Sequence, residues 1–85
     1  MDIELRFFAS VREQLGTGAE RASVPAEVNT VGALRAWLRA RGGQWEEALA
    51  EGRALRMAVD HAVARADTPL APGCEVAFFP PVTGG

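Results

Sequence analysis

The order of hydrophobic patterns predicts an α+β domain in which one sheet packs on one main helix. Three observations carry this. Residues 1–8 and 55–59 alternate apolar and polar side chains with the period of two that a half-buried strand requires. Val31, Leu34 and Leu38 form an apolar stripe at helical spacing. Strand-like segments lie on both sides of that helix, so a single sheet can cover it.

In the first segment Ile3, Leu5 and Phe7 share one face, and Glu4, Arg6 and Phe8 share the other. Residues 9–15 read as a two-turn helix, with Val11 and Leu15 four apart and Gly16 as its stop. Gly16-Thr17-Gly18 is a turn, and a second strand over 20–24 ends at Pro25. Thr30 is placed to cap the main helix, which runs to Ala40 or Arg41 before Gly42-Gly43. A shorter helix over 44–51 pairs Trp45 with Leu49 and closes at Gly52; the helical spacing of both tryptophans beside leucines assigns them to the core. Leu55, Met57 and Val59 point inward on a third strand, residues 62–65 make a weaker fourth, and 75–79 make the last.

With 85 residues there is room for one domain. A body of this size buries about 60–65% of its unfolded surface, which leaves little core to support an enclosed active site. The net charge of −2 argues against nucleic acid or an anionic membrane surface as the main partner. No apolar run reaches the ~18 residues of a membrane span, and Met-Asp-Ile-Glu is not the start of a signal peptide. The single cysteine, Cys74, excludes an internal disulfide and a cysteine-rich metal site. The expectation is a small cytoplasmic domain.

Catalytic constellations are missing. His61 follows Asp60, but sequence neighbours on a strand point to opposite faces, so a solvated turn histidine is the better reading. Cys74 precedes Glu75, whose charge opposes thiolate formation, and is read as structural. Glu46-Glu47 reads as a solvated helix face, and no metal site is expected.

Three features remain. Phe8 and Phe79 fall on the outward faces of strands expected to be neighbours, which suggests a small apolar patch for a protein partner. The chain then leaves the domain, residues 1–79, as a tail over 80–85. Pro80 and Pro81 cannot extend a ladder and should hold the tail extended and clear of the body, while Gly84 and Gly85 have no side chain to obstruct a narrow channel. What such a tail can present is the carboxylate of Gly85, which becomes an electrophile once adenylated. Finally, all nine basic residues are arginine. In an alanine-rich chain this reads as compositional bias; the functional alternative is a chain that must not be modified on its own amines.

Residues 6–13, Arg-Phe-Phe-Ala-Ser-Val-Arg-Glu, and residues 73–85, Gly-Cys-Glu-Val-Ala-Phe-Phe-Pro-Pro-Val-Thr-Gly-Gly, resemble the molybdopterin synthase small-subunit family. The resemblance extends over essentially the whole chain. It implies a ubiquitin-like β-grasp fold, a mixed sheet of about five strands on one main helix with short additional helices. It also implies a sulfur carrier: the sulfur-donating subunit of an enzyme, with no complete active site of its own. Gly85 would be adenylated by a ubiquitin-activating-type adenylyltransferase that uses ATP and Mg2+, then converted by a sulfur donor to a thiocarboxylate. The tail, Pro80, Pro81, Val82, Thr83, Gly84 and Gly85, would enter the large synthase subunit of a heterotetramer and deliver sulfur to cyclic pyranopterin monophosphate. The family's hydrophobic interface positions correspond to Phe8, Val63 and Phe79. Asp60 stands where relatives often have asparagine, and Cys74 where they often have aspartate. Two rival readings share the tail chemistry: a carrier for thiazole or cysteine synthesis, and a protein modifier joined to lysines.

Overall fold

The computed structural model describes residues 1–81. Strand β1 (Asp2–Phe7) lies near the centre of the sheet because its alternation buries Ile3, Leu5 and Phe7 completely or nearly so. Helix α1 (Ala9–Leu15) follows at once. Its C-cap, Gly16, takes φ +75° and donates its N–H to the Arg12 carbonyl, the left-handed closure that glycine permits without a Cβ penalty. Strand β2 (Ala19–Ser23) returns antiparallel beside β1, with Asp2 opposite Ser23 and Arg6 opposite Ala19.

Helix α2 (Val31–Arg39) begins where Thr30 was expected to cap it: the Thr30 hydroxyl accepts from the Ala33 N–H at 3.2 Å. The neighbouring amides are satisfied from a distance. Val31 N–H donates to the Thr68 carbonyl and Gly32 N–H to the Ala66 carbonyl. A Cβ at position 32 would stand 3.0 Å from that Ala66 oxygen, so glycine permits the approach. Val31, Leu34 and Leu38 are fully buried beneath the sheet.

Helix α3 (Gln44–Ala48) is shorter than the expected 44–51. The Arg35 guanidinium reaches from α2 to the carbonyls of Leu49 and Ala50, satisfying acceptors that another helical turn would otherwise cover. The tryptophans pack against the core, as expected, but remain half-buried. Trp45 meets the edge of Phe7 at 5.5 Å, while the Arg41 guanidinium sits 4.4 Å from the Trp45 ring centroid and 5.3 Å from that of Trp37. Arg41 also holds Glu20 through two hydrogen bonds, of 2.9 and 2.6 Å, tying β2 to the helical layer. That contact lowers the Glu20 pKa, chiefly through the Arg41 hydrogen bond.

Strands β3 (Arg56–Val59), β4 (Ala62–Ala64) and β5 (Glu75–Phe79) complete a five-stranded sheet of order β2-β1-β5-β3-β4. The β1–β5 pair is parallel and the other three pairs are antiparallel. One face carries the core, where Phe7 and Phe78 stack at 6.0 Å. A mixed sheet clasping one main helix is the ubiquitin-like β-grasp fold. Burial of each such phenylalanine or leucine contributes about 1.5–3 kcal/mol.

Candidate functional site

The second face of the sheet has no helix over it. Register places Arg6, Ala77, Ala58 and Val63 in one row across β1, β5, β3 and β4. The middle of that row is small, so the larger side chains around it stand above a shallow floor. Phe8, Ala9, Ala58, Ala77, Phe79, Pro80 and Pro81 line a mainly apolar groove of about 630 Å³, with His61 and Glu75 at its polar edge.

Phe8 is 47% exposed and Val63 is 79% exposed, the two large hydrophobics most open to solvent among the described residues. Val63 sits opposite Ala58 in the β3–β4 ladder, so it continues the apolar face beyond the groove. Phe79 is half-buried, less open than its outward strand position implied. Pro80 and Pro81 are half-buried too. They line the groove together with Ala58 and Ala77 instead of standing clear of the body. Val82, Thr83, Gly84 and Gly85 lie outside the described residues.

The backbone around the groove departs from ordinary conformations in two places. Ala9 has φ +51°, which lets α1 start immediately after the extended Phe8. Asp60 and His61 have φ +49° and +70° and form the two-residue turn between β3 and β4. Positive φ at both central positions is what a tight hairpin of this hand requires, and a non-glycine residue there costs about 1–2 kcal/mol. The Asp60 carboxylate helps hold the bend by accepting from the Glu75 N–H at 2.9 Å.

Glu75 organises the polar edge. Its Oε1 accepts from Arg6 Nε at 3.3 Å, and its Oε2 lies 3.6 Å from His61 Nε2. The His61 side chain is 86% exposed, as a solvated turn residue. Cys74 is buried and contributes to the core. No group of three or more His, Cys, Asp or Glu residues converges to hold a metal among the described residues. No helix there is long and apolar enough to cross a membrane. The arrangement can bury an apolar partner surface beside a polar edge, at the place where the tail begins.

Sequence reasoning found Phe8 and Phe79 by strand alternation, and took Val63 from the family resemblance. It missed Ala58, Ala77 and Ala9. The signal for the first two was present: both occupy outward positions on strands flanked by larger outward residues. Nothing local marks Ala9, whose conformation is imposed by the junction between β1 and α1.

The ThiS family model matches residues 5–85. The molybdopterin synthase sulfur carrier subunit of Escherichia coli (strain K12) is 48% identical over 83 residues, covering 98% of this chain and 99% of the relative. Among solved structures, SAMP1 from Haloferax volcanii aligns over the whole of both chains with TM-score 0.75 and 26% identity. A chain from the complex of subunits 1 and 2 of molybdopterin-converting factor from Helicobacter pylori 26695 also aligns over the whole of both chains, with TM-score 0.67 and 26% identity.

Proposed function

This chain belongs to the ThiS family, and we propose that it is the sulfur carrier subunit of a molybdopterin synthase. The observation that carries this reading is the apolar groove formed by Phe8, Ala58, Ala77 and Phe79 at the point where Pro80 and Pro81 begin the tail. A carrier without its own catalytic centre needs a face that docks and an end that reaches. The groove supplies the face for the large subunit, and Val63 extends it. The glycine-terminated tail supplies the reach. The likeness to a chain from the Helicobacter pylori subunit complex supports a large-subunit partner.

The chemistry proceeds on the partners. On an adenylyltransferase with ATP and Mg2+, the Gly85 carboxylate attacks the α-phosphate and pyrophosphate leaves. A sulfur donor then attacks the acyl carbon and displaces AMP, leaving a thiocarboxylate. On the large subunit that sulfur is delivered to cyclic pyranopterin monophosphate. The need for ATP is consistent with a cytoplasmic cycle.

Intact mass spectrometry after incubation with the adenylyltransferase, ATP and a sulfide source tests the first half. The expected product has one oxygen replaced by sulfur at Gly85. Molybdopterin should then form when the large subunit and cyclic pyranopterin monophosphate are added. A chain whose mass does not change under these conditions overturns the reading. The likeness to SAMP1, a small archaeal modifier protein, favours one alternative product: an isopeptide conjugate on acceptor lysines, without a sulfur-bearing pterin.

A further inference from the structure

We infer that the partner surface seated on the apolar groove is acidic at its margins, and that Arg56 and Arg12 are held for carboxylates it presents on either side of an apolar centre. The inference rests on the docking role proposed above for that groove.

The chain has nine arginines. Among the described residues, Arg12 and Arg56 are the two whose guanidiniums hold no hydrogen bond or ion pair; the other seven each reach a carboxylate, an amide or a carbonyl. Both are exposed, and both border the groove. Arg56 precedes buried Met57 and stands opposite Phe79 in the β3–β5 ladder, so it shares the open face with Ala58 of the groove floor. Arg12 comes from α1 on the other side. With Arg6 and His61 it lines a second, more polar hollow of about 550 Å³, which joins the groove at Phe8, His61 and Glu75. A Cβ at position 18 would stand 3.0 Å from Arg12 Nε and 3.1 Å from its Cζ, so the guanidinium lies over the Gly18 backbone, in room that glycine leaves. Strand β5 separates β1 from β3, two strand spacings or about 10 Å, so the two cations flank the aromatic pair Phe8 and Phe79.

A partner that covers the groove removes water from its margins. A guanidinium covered without an acceptor loses hydration and gains nothing in return, whereas a carboxylate placed against it can take two parallel hydrogen bonds. The neighbouring cations of the open face are already engaged, Arg6 by Glu75 and Arg21 by Glu4. The chain as a whole carries −2, so it exerts no long-range pull on an acidic protein. The attraction is local to the groove, where it fixes the orientation of the docked partner and rejects a surface with basic residues at these places.

The test measures binding of the large subunit at low and high salt for wild type, Arg12→Gln, Arg56→Gln, Arg56→Lys and Arg56→Glu. Arg53→Gln, at a side chain that bonds Gln14 in the helical layer, removes the same charge away from the groove. Arg12→Gln and Arg56→Gln should each weaken low-salt binding by up to about fivefold, as loss of an exposed ion pair does, and the loss should shrink at high salt. Arg56→Lys should keep most of the affinity. Arg56→Glu should lose about tenfold or more, because it sets a like charge against the partner's carboxylate. Arg53→Gln should bind as wild type does. The inference is overturned if either glutamine variant at the groove matches Arg53→Gln, or if Arg56→Glu binds as well as wild type. Wild type that binds no large subunit at either salt removes the docking reading and this inference with it. Weakened binding in Phe8→Ala beside unchanged binding in the groove arginine variants removes this inference alone.

Discussion

The Phe8 N–H donates to the Phe78 carbonyl at 3.2 Å, one residue beyond the last β1–β5 pair. That bond carries the parallel ladder past Phe7 and sets Phe8 beside Phe79 on the open face. The two aromatic residues at the groove are thus fixed by the backbone that also buries Phe7 and Phe78 on the other side. Core packing and the proposed docking face are two sides of one strand pair.

Phe8→Ala should weaken binding of the large subunit by about 2 kcal/mol, the cost of removing an interface anchor, and leave the melting temperature nearly unchanged. Phe79→Ala should weaken binding similarly and also lower the melting temperature, because Phe79 is half-buried before any partner arrives. Calorimetric titration and thermal melts of the two variants separate these effects. Unchanged association in both would show that the partner docks elsewhere.

Cys74→Ser should leave sulfur transfer intact, since on the proposed reading the transferred sulfur rides on the Gly85 acyl group. It should nevertheless cost about 1–3 kcal/mol of stability, because it places a hydroxyl at a site only 4% exposed. Denaturant unfolding measures the loss, and molybdopterin formation at a temperature where the variant stays folded measures the transfer. A persulfide on Cys74 during turnover, with activity abolished in the serine variant, contradicts this assignment.

Glu20 gives the fold a specific acid sensitivity. Its hydrogen bonds from Arg41 hold the folded pKa below the ordinary value of 4.5. The group therefore binds more protons when unfolded, and its contribution is fully present above that ordinary value. It is lost as pH falls through the lowered folded pKa. Glu20→Gln should flatten the acid limb of the stability curve in this window while lowering stability at neutral pH. Urea unfolding from pH 7 to pH 3 measures both, and parallel curves for the two proteins would contradict the role given to this pair.

The elements that local pattern determines were legible in the sequence. Ile3, Leu5 and Phe7 alternate, Thr30 caps α2, and Gly16 closes α1, each for reasons contained within a few residues. What escaped depends on contacts distant in the chain. Arg35 shortens α3 by bonding carbonyls about fourteen residues away, and Arg41 lies against two tryptophans that helical spacing alone assigned to the core. The groove was half legible: alternation exposed its phenylalanines, but its alanine floor appears only when β1, β5 and β3 are set side by side. Pro80 and Pro81 line the same groove and are half-buried, which the stiffness of proline did not foretell.

The length of the tail should matter more than any side chain on the domain. On the proposed sulfur-carrier reading, Gly85 must enter one site for adenylation and another for sulfur delivery. In each, the reacting atoms must come within about 3–3.5 Å, and a misplacement of about 1 Å can cost a hundredfold in rate. Deleting Gly85 withdraws the carboxylate by about 3.5 Å, and appending one residue carries it past the reaction point by as much. Gly84→Phe keeps the length but adds a ring where a narrow channel admits only backbone. All three leave the sequence of the hydrophobic core, within residues 3–78, unaltered. Melting temperature and groove-mediated binding should therefore stay near wild type while molybdopterin formation falls to background. Loss of binding in the deletion would move the docking energy from the groove to the tail. A deletion variant that still forms a thiocarboxylate and supports a normal rate would remove Gly85 from the chemistry, because no geometry tolerant of a 3.5 Å displacement could also orient the acyl carbon for attack.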